Sequence, residues 1–166
     1  MTSATTRRAW AGAALTAISL ALLAGCAGLS ERSLGVDADD VASLEYYEYR
    51  WSEAPADVER LTIDDPEVLA EWVRAYTDMP VSDVAEADTV GLDGQQTQSS
   101  RFILTDGRRI EITTIWRGPK DVIVLWPDGT ASHTTWGSPD LFDAYDEVGR
   151  VVEVSAAELP AAELPD

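Results

Sequence analysis

The chain has one cysteine and one histidine in 166 residues, and 12 basic side chains against 30 acidic ones. Each shortage closes a class of function. A lone cysteine makes no disulfide within the chain, so packing must hold the fold. A lone histidine, His133, leaves no histidine-rich metal site, and any Ser-His-Asp arrangement would have to run through that residue. The formal charge of −18 repels phosphate backbones and argues against nucleic acid as a partner. With no glycine-rich phosphate loop and no zinc-ligand spacing, no cofactor is expected.

What the chain does have is an address. Met1–Arg8 contains no acid and ends in the pair Arg7-Arg8, and Ala9–Gly25 is an apolar run broken only by Thr16 and Ser19. A positive start, a short apolar stretch and small residues at its end make an export signal. The run is shorter than the about 20 residues that normally span a bilayer. At its end, Leu23-Ala24-Gly25-Cys26 resembles the lipobox of bacterial lipoproteins. The resemblance implies that Cys26 receives a diacylglyceryl group, that the signal is cut just before it, and that Cys26 becomes the acylated N-terminus. It implies a protein held to the outer face of the cell membrane by acyl chains, and two such chains give stable attachment. Thr6-Arg7-Arg8-Ala9-Trp10 also resembles a twin-arginine export signal, which leaves the Sec and twin-arginine routes both open. Removing Met1–Gly25 takes away Arg7 and Arg8 and no acid, so the charge moves from −18 to −20.

The expected organisation is a signal peptide over 1–25, a flexible tether over 26–41, an α+β domain over 42–152 and a disordered acidic tail over 153–166. Asp37, Asp39 and Asp40 in the tether lack the glycine and glutamate offsets of a calcium loop. "LEYYEYRW" alternates as a strand, with Tyr47, Tyr49 and Trp51 on the core face, and Arg60–Ile63 reads as a second short strand. Asp65-Pro66 opens a helix with Val68, Leu69, Trp72, Val73 and Tyr76 on one side, and Pro80 is expected to end it. Val81–Thr97 reads as a long loop. "SSRFILTDGRRIEITTIW" is a hairpin about Asp106-Gly107, followed by strands in "DVIVLW" and "TASHTTW". Ser138-Pro139 opens a second helix that Gly149 closes. The fold class is therefore α+β: an antiparallel meander of about four strands, two flanking helices and an N-terminal strand. The duplicated unit Ala-Ala-Glu-Leu-Pro forms the tail, where proline every five residues blocks a sustained helix.

Charge marks the candidate sites. Arg101–Trp136 holds five basic residues against four acids, unlike the acidic segments on either side. Strand alternation places Arg109 and Arg117 on the outer face of the meander with Arg101 nearby, where they bind an anionic ligand or pair with the protein's own acids. The leading expectation is a lipid-anchored, non-enzymatic binding or accessory module. One alternative is a small envelope hydrolase using carboxylates and His133. Another is an acidic inhibitor or interaction protein for a cationic envelope partner.

Overall fold

The computed structural model describes residues 29–84, 89–136, 145, 147–162 and 164. Cys26 and its signal lie outside the described residues, as do residues 138–144 and 146 of the second expected helix. The described chain forms β1 (Ser30–Arg32), β2 (Val41–Arg50), β3 (Asp57–Ile63), α1 (Pro66–Ala75), β4 (Met79–Asp83), β5 (Gln96–Leu104), β6 (Arg109–Gly118), β7 (Asp121–Leu125), β8 (Ala131–Thr134) and β9 (Arg150–Ser155). All nine strands belong to one sheet in the order β1-β4-β8-β7-β6-β5-β2-β3-β9, and every neighbouring pair is antiparallel.

The protein is thus mainly β, which corrects the α+β expectation of four meander strands flanked by two helices. The expected meander is present as β5 to β8, and Gly107 takes φ +85 at its first turn, a conformation only glycine adopts without strain. The rest of the sheet was hidden because pairing partners lie far apart in sequence. β9 pairs with β3, and the three-residue β1 pairs with β4. β9 carries the pairing to Ser155, so the first three residues of the expected tail belong to the sheet. Pro80 does not end the helix; it lies inside β4, at a position preceding the Ser82–Asp83 stretch that pairs with β8. The loop expected over Val81–Thr97 is likewise shortened, since β4 runs to Asp83 and β5 begins at Gln96.

Local chemistry forms α1 as expected. Asp65 caps it, its Oδ1 accepting from the backbone N–H groups of Glu67 at 3.0 Å and Val68 at 3.1 Å, and Pro66 occupies the first turn. The helix lies on one side of the sheet, face A. There Leu69, Trp72, Val73 and Tyr76 pack against Leu44, Tyr46, Leu61, Ile63, Phe102 and Ile112. Burial pushes the Tyr76 phenol up to about 12, partly offset by the Ser100 hydroxyl beside it.

The opposite side, face B, is also covered. The row Tyr47, Tyr49 and Trp51 belongs here, so the core of β2 is two-sided rather than confined to the aromatic row. Tyr47 is fully buried on face B while Leu44 and Tyr46 are buried on face A. Trp51 packs instead with a second apolar cluster of Leu92, Ile115, Ile123 and Leu125.

Candidate functional site

Face B carries the three arginines singled out by alternation. The structure keeps all three on one face and separates them by their partners. Arg101, on β5, stands at the centre. Its Nε donates to Glu111 Oε1 at 2.5 Å, Nη1 donates to Glu45 Oε2 at 2.9 Å and to the Tyr47 hydroxyl at 3.0 Å, and Nη2 donates to the Glu158 carbonyl at 2.8 Å. Arg60 extends this network, 3.5 Å from Glu45 and 2.9 Å from Glu158. Burial opposes the Arg101 charge, but its bonds to Glu111 and Glu45 outweigh that and hold its pKa above the ordinary guanidinium value. Tyr47 moves up as well, chiefly through burial, with Arg101 pulling against it. Arg101 is therefore a structural cation, with four of its five N–H donors bonded to groups of the protein itself.

Arg117 is engaged at the other end of the meander. Its Nε and Nη2 donate to Asp121 Oδ2 at 3.2 and 3.1 Å. The second Asp121 oxygen lies 3.1 Å from His133 Nε2. Ser82 stands opposite His133 in the β4–β8 register, yet no hydroxyl of the described residues is hydrogen-bonded to the imidazole. His133 thus has an acid beside it and, among the described residues, no hydrogen-bonded nucleophile of the kind that acyl or ester hydrolysis needs. Among the described residues there is also no group of three or more side chains placed to hold a metal ion.

Arg109 differs from the other two. It opens β6 opposite Ile103 and is exposed, and its side chain makes no ion pair or hydrogen bond with the described residues. It lies at the wall of a cleft of about 530 Å³, with Glu111 and Thr113 from the same strand, Leu125 to Pro127 and Gly129 from β7 and its turn, and Ala161 and Ala162 opposite. The C-terminal segment makes the far wall. After β9, Ser155 Oγ accepts from the Ala157 N–H, capping a turn over Ala156–Glu158. The chain then crosses face B, tied at the Glu158 carbonyl by Arg101, with Ala162 and Leu164 packed on the Ile115–Ile123–Leu125 cluster.

Alternation made Arg109 visible in the sequence, and Glu111 follows it at the spacing that shares a face. Nothing local marked Glu45 as the partner of Arg101, 56 residues away, or the alanines of the repeat as a cleft wall. Compared with known proteins, the chain matches no family model, no curated protein and no solved structure.

Proposed function

We propose that this chain is a bacterial envelope lipoprotein, anchored by acyl chains on Cys26 at the extracytoplasmic face of the cell membrane, whose β-sheet domain is a non-enzymatic binding module. The observation that carries the binding reading is the face B cleft with the Arg109 side chain at its wall, unpaired among the described residues. Arg101 and Arg117, the other two candidate anion contacts, already hold carboxylates of the protein itself. The hydrolase reading has less support, because His133 lies against Asp121 and no hydroxyl of the described residues is hydrogen-bonded to it.

The anchor reading rests on Leu23-Ala24-Gly25-Cys26, and the fold adds a geometric consequence to it. Ser30 is already paired with Val81 in the sheet. An acylated Cys26 would therefore hold the first sheet residue within about 14 Å of the lipid attachment, since an extended residue spans roughly 3.4 Å. The domain would sit against the bilayer surface, where its acidic character repels anionic headgroups and leaves retention to the acyl chains.

Cys26→Ser tests the anchor. Fractionation of cells expressing the full chain is expected to move the protein from the membrane to the soluble fraction, and labelling with a fatty-acid analogue is expected to vanish. Wild-type protein that takes up no label, or a Cys26→Ser variant that stays in the membrane fraction at wild-type level, contradicts it.

A further inference from the structure

We propose that the face B cleft takes a monoanionic amphiphile, its acid head on Arg109 and its apolar body between Leu125 and the alanines of the C-terminal segment. The inference rests on the binding-module reading and names the ligand class for that site.

Local charge supplies the first argument. Two cations, Arg60 and Arg101, interlock with three carboxylates, Glu45, Glu111 and Glu158. Among the described residues, Arg109 adds a third positive charge beside the three carboxylates of this network, in a chain at −18. Its guanidinium has donors in a planar fork suited to a carboxylate or phosphate, and no group of the described residues occupies them. Glu111, the carboxylate among the described lining residues, is already paired with Arg101, its Oε1 accepting from Arg101 Nε at 2.5 Å, whereas the Arg109 charge has no such partner among the described residues.

The walls supply the second argument. Leu125 and Ala162 belong to the apolar cluster of face B, and Pro127 and Ala161 continue that surface along the cleft. A volume of about 530 Å³ lies within the range that holds small organic ligands. A bare inorganic anion would leave this apolar surface wet, whereas an acid with a hydrocarbon or aromatic body covers it. A free carboxylic acid and a phospholipid with a single negative charge share this chemistry.

The experiment uses the mature chain and two fluorescent probes of equal length, 11-(dansylamino)undecanoate and the neutral 11-(dansylamino)undecan-1-ol. Wild type is expected to bind the acid at least about tenfold more tightly than the alcohol, the factor that one charge-assisted hydrogen bond supplies. Arg109→Ala is expected to remove that preference. Arg108→Ala, at a neighbouring arginine held by Asp106, is expected to keep it. Displacement of the acid probe by octanoate assigns a free carboxylic acid, and displacement by dihexanoylphosphatidylglycerol assigns a lipid. Displacement by neither overturns the proposal. Equal binding of acid and alcohol by wild type, or equal losses in Arg108→Ala and Arg109→Ala, overturns the anion requirement and leaves a binding cleft. Binding of neither probe overturns both the ligand class and the binding-module reading.

Discussion

Arg101→Met is expected to lower the unfolding free energy by about 3 kcal/mol at neutral pH, the scale seen when one partner of a desolvated ion pair is removed. The Arg101 side chain keeps only 10% of its surface exposed, and it bonds to two carboxylates, a phenol and a backbone carbonyl. Methionine matches much of its length and none of its donors. Glu45 and Glu111, on the strands flanking β5, would face each other without the cation between them. The Glu158 carbonyl would lose its donor, loosening the C-terminal segment over face B. Urea unfolding at pH 7.5 reads the loss. A loss below about 1 kcal/mol at neutral pH would place this cluster among ordinary surface pairs and contradict its structural role.

Trp72→Ala is expected to cost about 3–5 kcal/mol, the range for deleting a large buried aromatic side chain. Trp72 is the centre of the face A core. Its ring lies 5.9 Å from Tyr76, 6.4 Å from Tyr46 and, edge-on, 6.5 Å from Trp136. α1 is held over the sheet at both ends by the chain connecting β3 to β4, so it cannot readily sink into the space left behind. The cost is therefore both the lost transfer of the indole and a cavity that does not collapse. The midpoint of urea unfolding, followed by far-ultraviolet circular dichroism, is the measurement. A change under about 1.5 kcal/mol would mean that face A repacks and that α1 is not pinned as described.

Those parts of the fold with local causes were legible. Asp65-Pro66 fixes where α1 begins, Asp106-Gly107 fixes the β5–β6 hairpin, and two-residue alternation places Arg109 and Arg117 on one face, with Arg101 expected nearby. Long-range pairing was not legible. The polar run around Gln95 to Gln98 reads as a loop, yet Gln98 is buried in β5, where its amide donates to Glu48 at 2.9 Å and accepts from Trp116 Nε1 at 3.2 Å. Polarity alone does not tell a solvated loop from a strand whose polar groups are met across the sheet. β9 was missed for a similar reason: as an edge strand it is short, carries charges at Arg150 and Glu153, and among the described residues is partnered by β3 alone. The site was legible to the level of the three arginines. Which of them remains free is decided by Glu45, Glu111, Asp121 and Glu158, whose positions the pairing sets.

The central claim is that the binding surface of this protein is the face B cleft beneath its C-terminal segment. Amide chemical-shift mapping of the mature chain, titrated with 11-(dansylamino)undecanoate, tests it most directly. Shifts are expected to cluster at Arg109–Thr113, Leu125–Gly129 and Ala161–Ala162. Shifts that gather instead at the second cleft, about 460 Å³ between Ser33–Asp40 and α1, would contradict the claim and move the site to the other side of the sheet.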